Sequence, residues 1–266
     1  MINKKFYTNK NLKPIKILLK DACDISGIFE YLKTSKIFKY NIDNFVVNWF
    51  PENHNGLAIN HSLRLLNVVN SFELNEEQKN KILNDAGFIS NKVFEQPAFA
   101  KKYDVIIFSL LLDSLTVLYK HKKTGKSLAW VCYPDFTNKE SWKLYNSELN
   151  NILKFQEYNE DKIENPYTYE NLEKYSEDFE YLGYIKPEQL IECIDYLIKK
   201  IHKTTKWIFI VGSDLKPPER LCNVWSQLAY ENRKAFNPKL LKHFKHYKNI
   251  VLIFHLVNIL KTFILN

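Results

Sequence analysis

The stretch from Ile15 to Leu32, IKILLKDACDISGIFEYL, changes its hydrophobic period in the middle, and this constrains the fold more than any other part of the chain. Ile15, Ile17, Leu18 and Leu19 form a short apolar run of the kind a buried parallel strand shows, whereas Ile25, Ile28, Phe29 and Leu32 recur as along one helix face. A strand therefore runs straight into a helix. Between them lie Asp21, Cys23, Asp24 and Ser26, and either aspartate can cap the helix by accepting a hydrogen bond from a free first-turn amide. A turn of this kind stands at the carboxyl edge of a parallel sheet, where open α/β folds bind their ligands. An ordinary strand-to-helix connection with a capped helix and no chemistry has the same pattern.

Later segments repeat the theme. Asn41 to Phe50 reads as a second strand, Tyr103 to Asp113 (YDVIIFSLLLD) as a central one, Lys206 to Gly212 (KWIFIVG) as another, and Asn249 to Leu256 as the last. Helical spacing falls on Ser62 to Asn70, Asn75 to Asp85, Asn138 to Tyr158 and Glu188 to His202, the last opened by Pro187. Two more helices are expected over Leu221 to Phe236 and Lys239 to Tyr247. Leu115 to Tyr119 and Ser127 to Tyr133 read as a hairpin turning at Thr124-Gly125. Strands and helices alternate, which predicts a three-layer α/β/α sandwich with a mainly parallel central sheet. The 266 residues fit a single α/β domain with a polar, tyrosine-rich excursion at about 159–186.

Composition narrows the function classes. The net charge of +8 is almost all lysine, with Arg64, Arg220 and Arg233 the arginines, and base readout or bidentate phosphate gripping favours arginine. This weighs against nucleic acid as a partner. Cys23, Cys132, Cys193 and Cys222 are scattered without a CxxC pair, so neither a disulfide frame nor a zinc site is expected, and no cofactor is implied. The N-terminus lacks the apolar centre of a signal peptide and no run reaches membrane-spanning length, which suggests a cytoplasmic, reduced protein with no membrane span. Gly125-Lys126-Ser127 matches the end of a phosphate-binding loop, but the first glycine of that motif would fall on Lys120.

The order of pieces resembles the SGNH (GDSL-like) hydrolase family, in particular bacterial members associated with surface polysaccharide. ILLKDACDISGIF is similar to the family's first block, YDVIIFSLLLD to a central strand, and KWIFIVGSD, AYENRKAFN and KNIVLI to later strands and a helix. The resemblance implies ester hydrolysis or O-acyl transfer on a carbohydrate or acyl-ester substrate. In the family the first block carries Gly-Asp-Ser, with the serine as nucleophile, and a late Asp-x-x-His supplies the base. Here the block reads Lys20-Asp21-Ala22: the acidic position matches and alanine stands at the nucleophile position, with Cys23 and Ser26 nearby. His255 has Leu252 rather than aspartate three residues before it. The catalytic candidates are therefore Asp21, Cys23, Ser26, Asp113 and Asp214, the two later aspartates as acid–base partners at strand ends. Ser114, Ser213 and Asn232 are candidates for substrate binding. Asp113 and Asp214 fit better still as surface caps of the segments that follow them, and a bond to a nearby loop is the plain role for Asn232. The alternative is a catalytically inactive relative that binds a glycan or a partner enzyme.

Overall fold

The computed structural model describes residues 15–20, 45–50, 64–86, 91–94, 99, 102–111, 113–115, 117–129, 135, 137–139, 169–201, 203–212 and 224–254. The chain divides into two compact units, one of Met1–Asn55, Gln96–Leu115 and Pro187–Asn266, the other of Gly56–Glu95 and Thr116–Lys186.

The first unit is a parallel α/β body. Strands β1 (Ile15–Lys20), β2 (Phe45–Phe50), β3 (Val105–Ser109), β7 (Lys206–Ile210) and β8 (Ile250–Ile253) form a five-stranded sheet in the order β2-β1-β3-β7-β8. Every neighbouring pair is parallel. Counted within this unit alone the order is 2-1-3-4-5, the doubly wound arrangement in which chain progression reverses between β1 and β3. β3 is central, and its apolar run is buried from Ile106 onward because strands flank it on both sides. Trp207 and Phe209 on β7 stack at 5.6 Å and meet Phe108 of β3 at 6.4 and 6.3 Å.

Helices α4 (Pro187–Lys200) and α5 (Val224–Phe244) complete this unit among the described residues and pack against each other. Pro187 opens α4 where a missing amide costs nothing, and Leu190, Cys193, Ile194 and Leu197 form its buried stripe. The two helices expected around Pro238 are one helix of 21 residues with that proline inside it. Proline removes one backbone bond and crowds the preceding turn, but Phe236, Leu240 and Phe244 are buried on both sides of it, and their burial keeps the helix going.

The second unit is antiparallel. β4 (Val117–His121), β5 (Ser127–Ala129) and β6 (Phe179–Tyr184) form a three-stranded sheet in the order β5-β4-β6. The β4–β5 turn contains Gly125 at φ 70, so the hairpin falls where the sequence places it, and Lys126 forms an ion pair with Glu73 rather than part of a phosphate loop. The described part of the excursion at 159–186 is ordered structure: helix α3 (Tyr169–Asp178) followed by β6. Tyr175 of α3 stacks on Phe179 at 4.2 Å and meets Tyr119 edge-on at 5.2 Å, so the tyrosine-rich composition serves a core.

Helices α1 (Leu65–Glu73) and α2 (Glu76–Asp85) belong to the same unit. α2 starts with a reciprocal cap in which Asn75 accepts from the Gln78 amide and the Gln78 side chain accepts from the Asn75 amide. On α1, the buried Asn67 side chain donates to the Ala129 carbonyl at 2.8 Å and accepts from its amide at 3.0 Å. The side-chain amide thus behaves as a stub of strand and satisfies the edge of β5.

Candidate functional site at the carboxyl edge of the parallel sheet

β1, β3 and β7 run parallel, so the chain leaves all of them at the same edge of the sheet. β3 ends at Ser109, and the Leu110 amide still reaches the Ile210 carbonyl at 2.8 Å. The chain then closes into a 3-10 turn, Asp113–Leu115, in which the Ser114 amide donates to the Leu110 carbonyl at 3.0 Å. Asp113 and Ser114 are each 2 % exposed, as is Ser109, so a carboxyl and two hydroxyls are buried within six residues of a strand end.

The hydroxyls are already engaged. Ser114 Oγ donates to the Leu111 carbonyl at 3.0 Å, and Ser109 Oγ accepts from the Leu111 amide at 3.4 Å. These bonds set the shape of the loop and leave Ser114 a framing residue rather than a nucleophile.

α5 supplies the other wall. Asn232 Nδ2 donates to the Ser114 carbonyl at 3.1 Å, and one turn on, the buried Asn237 donates to the Gly212 carbonyl at 3.4 Å. Asn237 Oδ1 is buried with no hydrogen-bond partner among the described residues. Gly212 follows β7 with φ 78, and a Cβ built there would lie 3.0 Å from Arg233 Nε and 3.1 Å from Leu111 Cδ1. Glycine is needed at this position both for its backbone conformation and for the guanidinium's close approach. One face of α5 therefore brings Asn232, Arg233 and Asn237 to the ends of β3 and β7. Arg233 and Asn237 escape a reading by motif, because only the helical spacing from Asn232 signals them.

Of the candidates from sequence, the structure brings Ser114 and Asn232 into direct contact and sets Asp113 in the same turn. Asp21, Cys23, Ser26, Ser213 and Asp214 lie outside the described residues; they follow β1 and β7, whose ends are at this edge. Among the described residues no group of three or more His, Cys, Asp or Glu side chains is arranged to hold a metal ion. His243 Nε2 bonds Asp195 at 2.9 Å, and His246, three residues on, is exposed. No helix among the described residues is long and apolar enough to cross a membrane.

A second polar cluster, unforeseen from sequence, lies in the antiparallel unit. His121, fully buried on β4, accepts at Nδ1 from the Thr124 amide at 3.3 Å, which leaves Nε2–H to donate to Asp85 Oδ2 at 3.0 Å. Lys123 bridges Asp85 and Asp178 at 3.0 and 2.7 Å. Burial pushes the Asp85 carboxyl up, but bonds from Lys123 and His121 and the nearby lysine charges outweigh it and hold the group below the usual carboxylate range. The cluster ties the hairpin turn to the ends of α2 and α3.

Compared with protein-family models, with curated proteins and with solved structures, the chain finds no match.

Proposed function

We infer that this chain is an SGNH-hydrolase-like α/β/α protein acting on carbohydrate or surface polysaccharide as an acyl ester hydrolase or O-acyltransferase. The observation that carries the reading is the meeting of Asp113, Ser114 and Asn232 at the carboxyl edge of a parallel sheet of order 2-1-3-4-5, beside the ends of β1 and β7. In this reading Cys23 or Ser26 attacks the acyl carbonyl and passes its proton to an aspartate of that edge, Asp113 or Asp214, with Asp21 shaping the turn. The ester C–O bond breaks, the sugar oxygen leaves with the proton, and water or a second hydroxyl then takes the acyl group. Ser114, Ser213 and Asn232 are the substrate-binding residues of this reading, and Asn232 holds the Ser114 loop in place.

A second reading is favoured by one specific observation: Ala22 stands where the family has its serine, and Leu252 precedes His255 where the family has aspartate. In it the same edge binds a glycan or a partner enzyme without turnover. Hydrolysis of short-chain p-nitrophenyl esters by the purified protein, beside Cys23→Ala and Ser26→Ala, separates the two. Turnover abolished in one variant supports the enzyme; no turnover, with retained binding of an acetylated oligosaccharide, supports the binder.

A further inference from the structure

The opposite edge of the parallel sheet carries an excess of positive charge. Lys16, Lys102, Lys206 and Lys248 stand at or just before the starts of β1, β3, β7 and β8. The strands begin side by side, since Val105 is in register with Lys206 and Trp207 with Ile250, and the Asp104 amide donates to the Lys16 carbonyl at 2.9 Å.

The helices end at the same edge. Glu188 of α4 pairs with Lys239 of α5 at 2.6 Å, and Asp195 with His243 at 2.9 Å, so the two helices run side by side in the same direction. Their ends deliver Lys199, Lys200, Lys203 and Lys245 to the strand starts, and all of these are exposed.

Elsewhere Lys79, Lys123, Lys126, Lys139 and Lys239 sit in ion pairs, while Lys81, Lys120 and Lys234 are exposed without one among the described residues but are not gathered at one sheet edge. No lysine of the amino edge has a carboxylate partner among the described residues, although Lys200 lies over the Tyr196 ring. Asp195 is taken by His243 and Tyr247, and Asp104, which accepts from the Lys16 backbone amide, offsets only part of the lysine charge of this edge. Complementing the helix C-termini accounts for Lys199 and Lys200, but not for Lys16, Lys102, Lys206 and Lys248, which stand at or just before strand starts. Exposed apolar surface lies among them: Tyr247 is 38 % and Val251 52 % exposed.

We propose that this amino edge docks the protein on an anionic lipid surface. Compact, strongly hydrated lysine charges attract a charged surface without needing the bidentate geometry that arginine gives to nucleic-acid phosphates. Tyrosine and valine beside them suit the headgroup boundary, where an apolar body and a polar tip are both accommodated. Docked in this way, the carboxyl edge with Asp113 and Asn232 faces away from the surface.

Co-sedimentation tests the proposal with vesicles of phosphatidylserine and phosphatidylcholine, with phosphatidylcholine alone, and with a DNA duplex as competitor. The expected result is binding to the anionic vesicles only, lost in about 0.5 M salt. Lys203→Glu/Lys248→Glu weakens it at least about tenfold, while Lys234→Glu/Lys239→Glu, the same charge change in the same unit but on the part of α5 away from the amino edge, leaves it within about twofold. Equal binding to neutral vesicles, equal loss in both double variants, or displacement by DNA at lower concentration than by anionic vesicles overturns it. The comparison of anionic with neutral vesicles and the DNA competition use the unmodified protein, so they test the lipid surface independently of how the variants fold.

Discussion

The side-chain amide of Asn232 donates to the backbone carbonyl of Ser114, 118 residues earlier in the chain, at 3.1 Å. This bond joins α5 to the turn that follows the central strand, and Ser114 is 2 % exposed, so its carbonyl has little access to water in exchange. Asn232→Ala is expected to cost about 1–2 kcal/mol, the usual effect of leaving a buried acceptor without its donor. Asn232→Asp should cost more, since a carboxylate would face a carbonyl oxygen. Midpoints of urea unfolding measure both.

The glycines give a graded test. Gly212, Gly125 and Gly183 all have positive φ, but only Gly212 has neighbours where a Cβ would go. Gly125→Ala should cost about 1 kcal/mol through backbone strain alone, whereas Gly212→Ala adds crowding against Arg233 and Leu111 and should cost about 2–3 kcal/mol. Equal effects in thermal unfolding would contradict the close approach of Arg233.

The polar cluster of the antiparallel unit predicts a limit in acid. The folded Asp85 carboxyl binds its proton more weakly than the unfolded one, whose ordinary value is 3.8, so the unfolded state takes up more protons near that pH. The stability Asp85 contributes is therefore present above that value and lost as pH falls through the lower, folded one. Lys123 is shifted upward by its bonds to Asp178 and Asp85, so its contribution fades only as pH rises through a value above the ordinary 10.5. Asp85→Asn should lower the plateau by about 1 kcal/mol and flatten the acid limb of a plot of unfolding free energy against pH.

Pro238 makes a prediction of the opposite sign. It lies inside α5 and is exposed, so Pro238→Ala restores a backbone bond without removing core packing. A stabilisation of about 1–3 kcal/mol is expected, seen as a higher Tm. A loss of stability would mean that the packing of Phe236 and Leu240 depends on the proline.

What was legible in the sequence follows from the range of the interactions that decide it. β3 and β7 announce themselves because both are buried on two faces, and the turn at Gly125 because a tight hairpin demands a particular backbone conformation. β6 is not legible from the pattern: its burial alternates, but two of the exposed positions hold Leu182 and Tyr184 and a buried-side one holds Gly183, so apolar and polar residues do not alternate with it, and Leu182 is an extra residue in the ladder opposite the step from Leu118 to Tyr119. Local propensity stops a helix at Pro238, while burial on either side, invisible locally, continues α5 through it. At the candidate site the strand-end residues Asp113 and Ser114 could be picked from the pattern around them. That Asn232 reaches Ser114, or that Arg233 lies against Gly212, depends on tertiary approach between segments far apart in sequence, and no spacing rule carries it. The Asp85–His121–Lys123 cluster was hidden for the same reason.

The most direct test of acyl chemistry at the carboxyl edge is peptide mass spectrometry of the protein quenched during reaction with p-nitrophenyl acetate. The account predicts one acetyl group on the segment holding Cys23 and Ser26, removed by substituting whichever residue carries it. No adduct, or acetyl groups scattered over exposed lysines with none on that segment, would contradict it and leave the edge as a binding site.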